Sequence, residues 1–378
     1  MKLVLLLVID NGSVDGTYEI LRRYAKTGRV ELHQYPVYDK KQYALVTEMA
    51  RRAASKHWAD WVLNADADEF FLPVDRTLAL REALEHIPAT LGAVTVPVIN
   101  MTGRPAPTGS GLGRLVWRDE RPEDTLLHDA GLPAHPTFDA IHVGDPAVLV
   151  RQGNHFVSIP SQGEPDARWA IEVLHYPWRS WTQFRGKVDK SGQAYANNPT
   201  HTPSPRHHGL RDYRFLGAGA LERSYLYRHP RPGGLEVAPP GLVRDTWLDE
   251  SQRCLLTSGR ALLPAELAKG LDDEGDGAYY TTADWDDAAT IMRVAIALDQ
   301  ERTTTLSALH ESALQARARL IAEFAEQSRQ FTEQEQTLAE YRHAHDSITR
   351  SVSFKVGRMI TGVPRWARDR LGKIGDTG

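Results

Sequence analysis

The stretch WVLNADADEF, residues 61 to 70, runs from a short apolar segment directly into three acids and back to an aromatic residue. Two aspartates at i and i+2 beyond a strand end, Asp66 and Asp68, can direct their oxygens toward one hard cation. Such a cation neutralises a diphosphate. A bare D-x-D is more often a solvated acidic turn. Here the WVLN segment before it and Phe70, Phe71 and Leu72 after it place the carboxylates at the edge of a core. An EF-hand calcium loop does not fit, because counting from Asn64 the sixth position is Glu69 instead of glycine and the twelfth is Asp75 instead of glutamate.

On either side of this stretch, apolar strand-like segments alternate with helical ones. Strands are expected at 3–9, 30–35, 59–66 and 92–99, the first as a buried strand, and helices at 17–26, 42–56 and 77–87. That order predicts an α/β fold, a mostly parallel sheet flanked by helices, with a helical extension toward the C-terminus. In open α/β sheets, ligands collect beyond the carboxyl ends of the strands. Both Asp66–Asp68 and the earlier loop VIDNGSVDGT, residues 8 to 17, lie at such ends.

Composition narrows the function. The 378 residues, 41% of them hydrophobic, can bury a large core, and the net charge of −4 gives no general attraction to nucleic acid. No basic stripe interleaved with aromatics occurs in the first 300 residues, so no nucleic-acid partner is expected. Cys254, the single cysteine, cannot form an internal disulfide or a zinc cage, which fits a reducing compartment and a cytoplasmic protein. The opening MKLVLLLVID lacks a small-residue cleavage site, and no run of about 18 apolar residues exists to span a bilayer.

Taken together, DNGSVDGT, WVLNADADEF, QGNHFV and LHYPWRSWTQFRGKV resemble the GT-A-fold glycosyltransferases. More narrowly, the chain is similar to a glycosyltransferase family 2 branch with D-N-x-S-x-D-G-T, D-x-D-E-F and a late His-Tyr/Phe-Pro. The resemblance covers roughly residues 3 to 230. It implies a nucleotide-sugar donor, Mn2+ or Mg2+, a hydroxyl acceptor and inversion at the anomeric carbon; a glycan or lipid-linked acceptor is expected if the basic C-terminal tail binds lipid. A binding protein that kept the fold and lost turnover is the alternative from another class. Metal-dependent transfer or donor hydrolysis separates the two.

The resemblance also implies roles for single residues. Asp10 and Asp15 match carboxylates bordering the donor's base and ribose, although Asp10 or Ser13, or Asp15 itself, could instead cap the helix that starts near Thr17. Gln42 matches a polar position facing the nucleotide. Asp68 is the first choice for the metal, with Asp66 on the ribose or the metal. His175, in IEVLHYP, closes the metal site; a satisfied core histidine is its bland alternative. The general base is left open among Glu172, Asp139 and Asp145, and His155 is read as supporting the site. Lys187 and Arg185 could meet phosphate or simply form a solvated helix face. Trp178 and Trp181 could stack on a sugar or pack into the core.

The expected organisation is a glycosyltransferase domain over 1–230, a linker and small mixed segment over 231–283, a helical segment over 284–350 and a basic amphipathic tail over 351–378. Leu320, Phe324, Phe331, Leu338, Tyr341 and Ile348 recur at helical steps, interrupted by Gln327 and Gln334, so a coiled-coil homodimer through 306–348 is expected. The tail's mixture of apolar and basic residues suggests peripheral membrane contact. Related enzymes place a strand, a turn and a helix ahead of the DNGSVDGT strand. A longer functional N-terminus is therefore expected, and with it poor donor binding by the chain as written.

Overall fold

A computed structural model describes residues 4–36, 42–196, 208–235, 239–271 and 279–361. In chain order the elements are β1 (Leu6–Asp10), α1 (Thr17–Ala25), β2 (Val30–Gln34), α2 (Gln42–His57), β3 (Trp61–Leu63), β4 (Glu69–Pro73) and α3 (Leu80–His86). Next come β5 (Ala93–Val96), β6 (Val98–Thr102), β7 (Trp117–Asp119), α4 (Glu123–Ala130), β8 (Asp139–Val143), β9 (Ile171–His175), α5 (Trp181–Ala196), α6 (His208–Gly217) and α7 (Leu221–Arg228). The chain continues through β10 (Leu242–Arg244), α8 (Trp247–Thr257), α9 (Pro264–Leu271), α10 (Thr282–Arg350) and α11 (Val352–Thr361).

The architecture is α/β, but its sheets are not mostly parallel. Among the described residues only β1·β2 and β6·β9 pair in parallel. The remaining ladders, β10·β7, β6·β7, β4·β9, β3·β8 and β5·β8, are antiparallel. The opening run is also less buried than its apolarity predicts: Asp10 is the only buried residue of β1.

The apolar run at 92–99 divides at Pro97, which has no amide hydrogen to donate to a ladder. Residues before it pair with β8 and residues after it pair with β9 and β7. Pro97 still contributes its carbonyl, which accepts the amide of Val173 at 2.9 Å. One continuous hydrophobic segment thereby joins two sheets.

Strand alternation then sorts β9. Ile171 and Val173 enter a core with Phe71, Val94, Val96 and Ile141, covered by Ala83 and Ile87 around α3. Leu174 faces the other way, packing with Met101, Leu115, Tyr176 and Leu248. A third core, around Tyr225 and Tyr227, joins α4 to α7 and takes Ala288, Ala289, Met292 and Ile296 from the start of α10.

The chain divides into two compact units, 1–303 and 304–378. The helical segment expected to start a separate region at 284 thus begins inside the first unit. In the second unit, residues 308–348 are all exposed. Within the tail, 362–378 lie outside the described residues. No helix among the described residues is long and apolar enough to cross a membrane.

Candidate active site

The turn between β3 and β4 carries the acidic motif. The Glu69 amide donates to the Asp66 carbonyl at 3.1 Å, and the Asp66 amide donates to Glu69 Oε2 at 2.8 Å. This reciprocal clamp fixes the turn and holds Asp66, Asp68 and Glu69 close together. Asp68 is also tied to the neighbouring strand, since its carbonyl accepts the amide of Tyr176 at 2.8 Å. The β4·β9 register sets Glu69 opposite His175.

His175 Nδ1 donates to Asn100 Oδ1 at 2.9 Å. In that tautomer Nε2 keeps its lone pair, and it lies 3.8 Å from Asp68 Oδ2. Burial lowers His175 to about 4, so the ring is neutral near pH 7. Two atoms bound to one divalent ion at about 2.1 Å each lie roughly 3 to 4 Å apart, so this carboxylate–imidazole pair fits such an ion. Asp66 is held by two amide donors on one oxygen. Asp66 Oδ1 accepts from Gln42 Nε2 at 2.9 Å and from Asn154 Nδ2 at 3.1 Å. Among the described residues no group of three acidic, histidine or cysteine side chains is assembled for a metal. Asp68 and His175 are the pair whose spacing would suit one divalent ion.

Lys187 of α5 reaches the same carboxylate, its Nζ donating to Asp68 Oδ2 at 2.6 Å. Burial alone would raise Asp68, but Lys187 and His175 outweigh it and hold the carboxyl below its ordinary value. Asp66 moves the other way, raised by burial and by the neighbouring Asp68 charge. Glu69 goes further, pushed up to about 8 by burial and then by Asp139.

Gln42 lies in a polar chain, accepting from Gln152 Nε2 at 2.9 Å while donating to Asp66. The DNGSVDGT carboxylates are engaged within their own loop. Buried Asp10 accepts the amides of Gly12 at 3.1 Å and Ser13 at 3.2 Å. Exposed Asp15 accepts the Thr17 amide at 3.2 Å, and the Thr17 side chain and then its amide hold the carboxyl below its ordinary value; the helix itself is capped at Gly16 without a side-chain bond. Gly16 makes the loop-to-helix turn at φ 88°, a conformation that costs a glycine little.

The three base candidates separate. Glu172 is an odd number of residues from His175 on one strand and so faces the opposite side of the sheet. There Arg118 holds it at 2.7 and 2.8 Å, with Arg76 as a further partner. The guanidiniums keep it below the ordinary carboxylate range despite burial, and it lines a groove with Arg76, Asp245 and Trp247. Asp145 accepts the Ala147 amide at 2.7 Å in a turn. Asp139 does come to the acidic motif, but it is wholly buried and its Oδ1 is paired with His155 Nδ1 at 2.9 Å. Trp178 is buried beneath the Arg228 guanidinium, which matches its packing alternative.

Sequence reasoning missed Asn100, Gln152 and Asn154, which orient the motif side chains from distant segments. Asn154 had a local signal, since it lies inside QGNHFV. Asn100 had none, because its role arises only when β6 pairs with β9.

The turn thus gathers carboxylates, a neutral imidazole and a lysine ammonium around Asp68. The model of glycosyltransferase family 92 matches residues 6–90, a span that includes both acidic loops. The match supports a glycosyltransferase. The family matched is number 92, whereas the sequence motifs resemble a family 2 branch. No curated protein and no solved structure matches the chain.

Proposed function

We propose that the chain is a metal-dependent, inverting glycosyltransferase that moves a sugar from a nucleotide-sugar to a hydroxyl of a glycan or lipid-linked acceptor, in glycan or cell-surface polysaccharide synthesis. The observation that carries this reading is the pairing of Asp68 Oδ2 with the lone-pair nitrogen of neutral His175 at 3.8 Å, beside Lys187. Asp68 and His175 would hold Mn2+ or Mg2+, which when bound supplies positive charge to the leaving diphosphate.

The rest falls to the side chains. Asp66, oriented by Gln42 and Asn154, presents its free oxygen to ribose hydroxyls or to the ion. Lys187 is exposed over much of its length, so its ammonium can exchange Asp68 for a phosphate oxygen. Asp10 and Asp15 retain acceptor capacity for the donor's base and ribose beyond the loop amides they bind, since a carboxylate has about four lone-pair sites. Release of nucleoside diphosphate from UDP-glucose, UDP-galactose, UDP-N-acetylglucosamine and GDP-mannose, with and without MnCl2, tests the reading. Metal-stimulated release from at least one donor is expected; binding without release would favour the non-catalytic alternative.

A further inference from the structure

His155 and Asp139 form a dyad at the edge of the acidic motif that the reading above leaves without a role. Asp139 opens β8 and is fully buried, yet its Oδ2 has no hydrogen-bond partner. Its Oδ1 accepts from His155 Nδ1 at 2.9 Å, and the His155 side chain is 31% exposed. A buried carboxylate behind a partly exposed imidazole fixes the ring's tautomer: Nδ1 carries the proton and Nε2 is the basic nitrogen. The same carboxylate stabilises the imidazolium once Nε2 takes a proton.

The segment around this ring is shaped to hold it. Arg151 donates its amide to the Phe156 carbonyl at 2.8 Å, closing a tight loop, and Ala140 of β8 donates to the Asn154 carbonyl at 3.2 Å. Asn154 adopts a positive φ of 64°, which asparagine tolerates better than most residues. Gly153, at φ 83°, lies against the ring, and a Cβ there would fall 2.8 Å from His155 Nε2. The loop thus sends Asn154 to Asp66 and the adjacent His155 to Asp139. The donor-side carboxylate and the dyad are set by consecutive residues.

We infer that His155, positioned by Asp139, is the base that deprotonates the acceptor hydroxyl; this rests on the glycosyl-transfer reading above. The acceptor O–H proton passes to His155 Nε2 while the acceptor oxygen bonds to the anomeric carbon. The bond from that carbon to the diphosphate oxygen breaks, and its electron pair leaves with the nucleoside diphosphate. His155 afterwards returns the proton to solvent from its exposed edge. Asp139 is a positioning residue, buried too deeply to meet the acceptor.

The test uses the full chain with Mn2+ and whichever of the four nucleotide-sugars above the parent turns over, water serving as acceptor. His155→Asn keeps a donor toward Asp139 but has no basic nitrogen. Its kcat for nucleoside diphosphate release is expected to fall by about 10²- to 10⁴-fold, with donor KM and Tm near those of the parent. His155→Gly is expected to regain part of its kcat with added imidazole, and Asp139→Asn to lose kcat with KM retained. Parental kcat in His155→Asn would overturn the assignment, as would a loss confined to KM or a loss in His155→Gly that imidazole cannot restore. A parent that neither binds nor cleaves any of the four donors would overturn the glycosyl-transfer reading itself, and this assignment with it.

Discussion

Asp68 is the residue on which the proposed metal chemistry turns. It is buried, tied to the end of β9 by the Tyr176 amide and neutralised by Lys187. Asp68→Asn is expected to abolish Mn2+-dependent donor binding with little loss of stability, because the Lys187 it leaves behind is 55% exposed and returns to water. His175→Ala should weaken Mn2+ binding less, since a carboxylate remains. It should cost more stability, about 1–3 kcal/mol, by leaving buried Asn100 without its partner. Isothermal titration with Mn2+ and thermal unfolding, run on both variants, separate the two effects. Unfolding of His175→Ala with no change in metal affinity would mark it as a core histidine only.

Glu69 gives a pH prediction with a definite sign. Its folded pKa of about 8 lies above its ordinary 4.5, so the folded chain keeps a proton that the unfolded chain releases. The associated stability is complete below 4.5 and is lost as pH rises through 8. In metal-free buffer, Glu69→Gln should therefore lose less Tm than the parent between about pH 5 and 9. Parallel curves for parent and variant would show that Glu69 carries no such proton. The acidic motif itself was legible because D-x-D lies between apolar runs. The raised Glu69 was not, since it depends on Asp139 arriving from 70 residues downstream.

At the scale of elements, much of the first 64 residues followed from local pattern, with α1, β2 and α2 ending within a residue or two of expectation. The sheet order did not follow, because pairing depends on partners that hydrophobic periodicity cannot name. The split at Pro97 shows how one residue redirects a strand: its missing amide ends one ladder and its carbonyl begins another. Helix packing offers a sharper test at Gly192 in α5, where a Cβ would fall 2.0 Å from the Tyr213 ring of α6. Alanine gains about 1 kcal/mol of helix propensity over glycine. The clash acts on the ring's inner atoms, which cannot swing aside as a chain end would, so packing should win. Gly192→Ala is expected to destabilise by about 1–3 kcal/mol in chemical denaturation. A stabilised variant would show that α5 and α6 can separate without cost.

For the whole molecule, composition and motifs reached the class of enzyme, while the reach of each compact unit needed the structure. The first unit extends to residue 303, because Ala288, Ala289, Met292 and Ile296 are buried against α7. In the second unit, Leu320, Phe324, Phe331, Leu338, Tyr341 and Ile348 are exposed, between 51% and 74%. We propose that this seam pairs with a second copy. Phe331→Glu should convert a dimer to a monomer in sedimentation equilibrium, and a parent that is already monomeric would refute the pairing.

We propose that the chain binds a nucleotide-sugar through a divalent ion at Asp68. Thermal unfolding with the four nucleotide-sugars, with and without Mn2+, in the parent and in Asp68→Asn, tests it most directly, because a ligand bound only by the folded state raises Tm. At least one donor should raise the parent's Tm only when Mn2+ is present, and that rise should vanish in Asp68→Asn. A Tm indifferent to every donor, or a rise that persists unchanged in the variant, would contradict the claim.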